Sequence, residues 1–220
     1  MDIMEAMRAR HSVRSYTDKP IEGETLQALE TLIGECNRES GLHIQLVRNE
    51  PMAFDSTMAH YGKFSGVRNY LAMVGKKDKR LDETCGYYGE KIVLAAQTLG
   101  LNTCWVGLTF KKIPDAFQIA DGEKLAIVIA IGYGATQGAA HKSKDSAAVS
   151  KAKDAPEWFK NGVEAALLAP TAINQQKFLF TLHGDKVSAK AGLGPFSKVD
   201  LGIVKYHFEL GSGKERAVWL

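Results

Sequence analysis

Cysteine is scarce in this chain: Cys36, Cys85 and Cys104 in 220 residues, with no CxxC spacing. An odd count without metal-ligand company excludes a disulfide framework and points to reduced thiols in a reducing compartment. Long apolar runs are missing too. The longest, Leu125 to Ile131, is far too short to span a bilayer. The stretch Met1-Asp2-Ile3-Met4-Glu5 lacks the charged-then-apolar order of a secretory signal. The expectation is a cytoplasmic chain with no membrane partner. No basic stripe is present either: the formal net charge is +3 and the cations are scattered, so no nucleic-acid partner is expected. No P-loop and no HExxH occur, and the six histidines are dispersed, which predicts no metal. Gly132-Tyr133-Gly134-Ala135-Thr136-Gln137-Gly138 imitates a dinucleotide fingerprint after a strand. The residues that follow it, Ala139 to Lys144, are poor as the helix start that the fingerprint needs.

What remains is ordinary for a globular enzyme, 45% apolar and 24% charged. Periodicity predicts a short helix at Ile3 to Met7, an extended 10–16 segment and a turn at Asp18-Lys19-Pro20. A helix from Glu24 and a strand over 43–47 follow. Residues 51 to 68 read as loop, 69–74 as strand, and 87–99 as an apolar helix closed by Gly100. Further on, 103–107 reads as strand or tight loop, 113–119 as a short helix, 125–131 as a central strand and 139–153 as a polar linker. Helix 157–168, strand 177–182 and helix 199–210 with Gly211 repeat part of this plan. The chain thus reads as two related halves, 1–148 and 149–220, the second abbreviated.

Two stretches carry chemistry. In Arg10-His11-Ser12-Val13-Arg14-Ser15-Tyr16, an extended backbone turns Arg10, Ser12 and Arg14 to one side. Two guanidinium forks flanking a hydroxyl suit a phosphate; an exposed basic edge strand fits the same pattern. In Ala169-Pro170-Thr171-Ala172-Ile173-Asn174-Gln175-Gln176, Pro170 stops a helix. Small residues there admit something flat, with Thr171, Asn174 and Gln176 to orient it; a plain helix-end turn fits as well. Cys104, beside Trp105 and without a neighbouring base in sequence, reads as a packed thiol.

Together the two stretches resemble the signature segments of the FMN-dependent nitroreductase family. Gly100-Leu101-Asn102-Thr103-Cys104-Trp105-Val106-Gly107 and Ala130-Ile131-Gly132-Tyr133-Gly134 are similar to two more. The resemblance implies an α+β fold with a mainly antiparallel central sheet flanked by helices. It implies FMN as cofactor and NADH or NADPH as reductant, with hydride passing through flavin N5 to a small acceptor such as a nitroaromatic or quinone. It also implies roles. Arg10, Ser12 and Arg14 would hold the phosphate and ribityl end, with Arg14 reaching the pyrimidine side and His11 contributing backbone. Pro170, Thr171, Ala172 and Asn174 would line the isoalloxazine, and Trp105, Val106 and Gly107 its N5 edge. Lys142 or Lys144 would supply a late cation to the phosphate. No side-chain acid or base is needed for hydride transfer. A non-catalytic flavin-binding or storage protein, with residues 51 to 68, including Tyr61 and Phe64, covering the ring, is the other reading.

Two departures from the resembled pattern stand out. The Pro-Thr segment follows the helix of the second half, while Glu35 to Ser40 stands at its usual place; and Lys177 replaces a common proline. Because the family is usually an intertwined dimer with sites shared between subunits, the chain reads as a fused, asymmetric version of it with one complete site: a monomeric pseudo-dimer, with a homodimer left open.

Overall fold

The computed structural model describes residues 1–55 and 57–220, with Met58 and His60 as backbone only. Helix α1 (Ile3–Ala9) opens on a capping box: Asp2 accepts from the Glu5 N–H at 2.8 Å and Glu5 accepts from the Asp2 N–H at 2.9 Å. Helix α2 (Gly23–Ser40) ends at Gly41 in the left-handed region, φ 71°. Strand β1 (His43–Val47), helix α3 (Thr57–Tyr61) and strand β2 (Tyr70–Lys76) follow. Then come helix α4 (Leu81–Thr98), strand β3 (Asn102–Val106) and strand β4 (Glu123–Gly132). The remainder is strand β5 (Ser150–Lys151), helix α5 (Glu157–Ala166), strands β6 (Phe178–His183) and β7 (Lys186–Ala191), and helix α6 (Ser197–Ser212).

The main sheet has the order β1-β2-β4-β3 and is antiparallel throughout; β5-β6-β7 form a second, smaller sheet. Two apolar clusters cover the two faces of the main sheet. Leu71, Met73, Ile127 and Ile129 face a core shared with Leu29, Ile92, Ile203 and Phe208. Tyr70, Cys104, Val128 and Ala130 face Val13, Phe54 and Phe64. Burial on both sides explains why β2 and β4 lack an apolar-polar alternation: all of Tyr70 to Gly75 is buried. The expected α+β class and antiparallel sheet are present, and β4 is central as expected.

Several expectations change on contact with the structure: helix α3 lies within the stretch read as loop, and α4 begins at Leu81, ahead of the expected 87. Residues 10–16 make isolated bridges, Ser12 to Thr103 and Tyr16 to Gly134, and not a regular strand. Residues 113–119 are not helical, because Pro114 disfavours helical backbone at Ile113 and Asp115 sits at φ 63°. Helix α6 continues through Gly211 and stops at Gly213, φ 65°. Strand β7 went unread because Lys186 to Ala191 carries small and charged residues around a single larger apolar one, Val187.

Helices α4 and α6 cross at a pair of glycines. A Cβ on Gly86 would strike the Val199 carbonyl and the Ile203 nitrogen; one on Gly202 would strike the Glu83 carbonyl and the Tyr87 nitrogen. Each glycine thus meets the residue three before and the residue one after its opposite number. Such reciprocity marks a local two-fold axis, as in an isologous interface. Neither glycine can be enlarged without parting two backbones, and overpacking of this kind costs about 1–3 kcal/mol. Gly202→Ala is therefore expected to lower the thermal midpoint by about 2–12 °C for a chain of this size, read by calorimetry. Gly184→Ala, at φ 64° with open space around it, supplies the comparison in which backbone strain acts without a clash.

Candidate active site

A cleft of about 350 Å³ lies against α6 and the end of β3. Ser12 and Arg14 line it from one side; Pro170, Thr171, Ala172 and Ile173 line it from another. Trp105, Val106 and Gly107, continuing into Leu108 and Thr109, make a third wall, and Val199, Asp200 and Ile203 of α6 close the back. The two chemistry-bearing stretches, about 160 residues apart in sequence, therefore meet at one cavity. Gly107 is required there by packing, since a Cβ would enter the Phe196 ring.

The arginine pair splits. Arg10 is the C-cap of α1, and its side chain turns inward, 3% exposed, beside Glu90. The expected alternation fails because 10–16 is not a continuous strand. Glu90, fully buried, accepts from the Trp105 indole N–H at 2.9 Å and faces His207 Nε2 at 2.8 Å; Arg10 Nε stands 3.9 Å away. His207 Nδ1 faces the Ala165 carbonyl at 3.1 Å. Burial pulls the Arg10 pKa down while Glu90 opposes it. Removing one member of such a group leaves an uncompensated buried charge. Arg10 thus stands behind Trp105, away from the cleft lining, whereas Arg14 is exposed at the cleft, 6.0 Å from the Phe64 ring centroid.

The 170–176 loop is strained and firmly tied. Ile173, a β-branched residue, lies at φ 49° and 89% exposed, with Asn174 and Gln176 also at positive φ. Left-handed backbone costs about 1–2 kcal/mol per residue, so other bonds must hold it. The Gln176 N–H donates to Thr171 Oγ1 at 3.0 Å. Asn174 and Gln176 amides donate to the Lys142 carbonyl at 2.9 and 2.8 Å. Lys144 Nζ donates to the Gln175 and Gln176 carbonyls at 2.9 and 3.0 Å. The Lys144 ammonium is therefore committed to the loop, while the Lys142 side chain is exposed and makes no hydrogen bond among the described residues. Neither lysine, nor His11, nor Asn174 lines the cleft. Tyr61 is 84% exposed and off the lining; Phe64 and Gly62 are on it. Cys104 is buried, and burial pushes its thiol pKa up. Among the described residues no group of three or more His, Cys, Asp or Glu side chains could hold a metal, and no helix is long and apolar enough to cross a membrane.

Sequence reading missed Asp200. Its one signal is a carboxylate inside an apolar run, Val199-Asp200-Leu201. In the structure it is 3% exposed, accepts from the Ala172 N–H at 2.9 Å and from Gln175 Nε2 at 2.7 Å, and so tethers the loop to α6. Burial raises its pKa to about 6 against those two donors. The folded state then binds this proton more tightly than the unfolded chain, so the contribution to stability grows as pH falls from about 6 to 4 and is lost as pH rises through that window. Asp200→Asn cannot titrate. Denaturant titrations of both proteins should show wild type gaining on the variant as pH drops from 6 to 4; a constant difference would place the titration elsewhere.

The comparisons with known proteins agree on one family. The family model described as "Putative TM nitroreductase" matches residues 2–212. A curated relative, the "Putative NADH dehydrogenase/NAD(P)H nitroreductase" of Methanothermobacter thermautotrophicus, is 27% identical over 150 residues, 60% of this chain and 78% of the relative. Among solved structures, a "putative nitroreductase" from Thermotoga maritima superposes with a TM-score of 0.69 at 22% identity, covering 96% of this chain and 83% of that one. An "FMN-dependent Nitroreductase" from Clostridium difficile gives 0.50 at 17% identity over 60% of this chain and 88% of its own. These last two are likenesses of fold. The match over nearly the whole length establishes that this chain belongs to the Thermotoga-type nitroreductase family.

Proposed function

We propose that the chain is an FMN-dependent NAD(P)H oxidoreductase whose cofactor lies in the cleft between Arg14 and the Pro170–Ala172 loop. The observation that carries this reading is the meeting of those two segments at one cavity. The residues fit the group. Pro170, Ala172, Val106 and Gly107 offer flat, small walls for a ring system, and Arg14 is an exposed cation with its donors available. When bound, FMN supplies the hydride chemistry, taking a hydride from a reduced nicotinamide and passing it to a small electrophilic acceptor such as a nitroaromatic or quinone.

The protein's part is binding and electrostatics. Arg14 sets positive charge at the pyrimidine side and Ser12 adds a hydroxyl toward the ribityl end, with His11 contributing backbone. Trp105, held by Glu90, fixes the wall beside the ring's reactive edge. Thr171 and Asn174 act through the loop they brace. Lys142 is the better candidate for the phosphate, because the Lys144 ammonium already serves two carbonyls. Arg10 acts from behind Trp105. Exposed Leu108 and Ile173 leave the cleft mouth open to an acceptor, which favours an enzyme over a store that shields its flavin. The reciprocal crossing of α4 and α6 supports the fused pseudo-dimer, with the arginine segment from one half and the Pro-Thr segment from the other.

Purified protein should be yellow and carry one flavin per chain, counted after heat release and compared with the mass from light scattering. Anaerobic NADH or NADPH should bleach it. Arg14→Ala should weaken FMN binding by about 10- to 100-fold, the loss of a charge-assisted contact, and make the bound flavin harder to reduce. Colourless protein, or an Arg14→Ala variant with unchanged affinity and potential, would end this reading; two flavins per chain would end the single-site version.

A further inference from the structure

A second cavity is larger than the one just described. A cleft of about 660 Å³ opens on the other side of the α4–α6 crossing, and its lining runs in parallel with the first. Where the first cleft takes Phe196, Val199, Asp200 and Ile203 from the start of α6, this one takes Arg80, Glu83, Thr84 and Tyr87 from the start of α4. Those four are the partners by position across the two glycines. Where the first takes Pro170 and Thr171 after α5, this one takes Ser40 and Gly41 at the end of α2. It is the two-fold counterpart of the cofactor cleft in backbone. In side chains it differs: apolar walls give way to tyrosines, a tryptophan and five cations.

Most of its charges are already matched. Glu209 accepts from the Tyr87 hydroxyl at 2.6 Å and the Trp219 indole at 2.5 Å. Lys205 pairs with Glu83 at 2.7 Å, Arg80 with Asp78 at 3.7 Å, and Glu39 with Lys91 at 3.0 Å. Three cations are left over. Lys76 stands opposite Glu123 across the β2–β4 ladder without a close ion pair, and Lys77 makes no side-chain hydrogen bond or ion pair, among the described residues. Arg216 spends one nitrogen on the Tyr88 hydroxyl at 3.1 Å and lies 4.5 Å from the Tyr87 ring centroid, with its remaining donors unspent. The lining carries five cations against four carboxylates, Glu39, Asp78, Glu83 and Glu209, and so presents a small surplus of positive charge beside aromatic surface in a volume suited to a nucleotide-sized ligand. A guanidinium fork beside two ammonium groups fits phosphate oxygens.

We propose that this second cleft binds a nucleotide-sized aromatic phosphate, ring against Tyr87 and Trp219, phosphate at Lys76, Lys77 and Arg216. The proposal stands on this cavity alone and does not require the flavin reading. Adenosine 5′-monophosphate is the probe, titrated calorimetrically into the protein as purified, with adenosine and inorganic phosphate as separate arms. The monophosphate should bind at least tenfold tighter than either arm. The paired variant Lys76→Ala/Lys77→Ala, exposed and free of packing duties, should weaken it at least tenfold while flavin content stays unchanged; Arg216→Ala should do the same. Binding no tighter than inorganic phosphate, binding indifferent to the lysine pair, or binding seen only after flavin is stripped would each overturn the proposal. Failure here with a yellow, reducible protein leaves the flavin cleft standing; success with a colourless protein does the reverse.

Discussion

The contact on which the rest depends is the backbone-to-backbone crossing of α4 and α6 at Gly86 and Gly202. Two helices this close leave no room for side chains at the crossing, so the residues a turn on either side are forced outward in fixed directions. From α6 they are Val199, Asp200 and Ile203, the back of the candidate active site. From α4 they are Glu83, Thr84 and Tyr87, a wall of the opposite cleft. One geometric constraint thus shapes one wall of each cavity, while the side chains on that wall and the other segments that line each cleft make them chemically different.

Further along α4, Glu90 turns the same arrangement into a polar anchor. It reaches across to His207 on α6, back to Arg10 at the end of α1, and up to the Trp105 indole on β3. A carboxylate with no exposed surface needs hydrogen-bonding company of this kind. The group ties three helices and the sheet edge together directly behind the cleft wall. Arg10 Nε still lacks a hydrogen-bond partner. That unpaired donor is a cost the network carries while it holds Trp105 in place.

Much of this was legible in advance where one physical signal dominated. Strand β1 runs over the expected 43–47, and β4 was visible from its continuous apolar run, because burial on both faces writes itself into composition. The meeting of the two stretches was legible only through their joint resemblance to the nitroreductase signature segments, since an exposed basic edge and a plain helix-end turn fit the same residues taken singly. What failed were signals that depend on backbone continuity. Alternation of Arg10, Ser12 and Arg14 presumed a strand that the isolated bridges of 10–16 do not make. The 113–119 segment has apolar spacing, but its proline and left-handed Asp115 break the helix the spacing suggests. Phe196, left-handed at the start of α6, gave no sign in the sequence of facing a cavity, and Asp200 gave only the weak one of a carboxylate inside an apolar run.

Asp200 also shows why the strained loop belongs to the site. Ile173 would relax to ordinary backbone if the loop were free, and nothing in its own exposed side chain restrains it. The restraint comes from the Asp200 carboxylate on one flank and the Lys142 carbonyl and Lys144 ammonium on the other. Loop strain of this kind persists only where surrounding bonds over-determine the conformation. Here those bonds place the short Pro170–Ala172 wall opposite Trp105 and Arg14 and hold Ile173 at the rim. Burial raises the pKa of this same carboxylate, so the tether and the pH sensitivity are one feature of the fold.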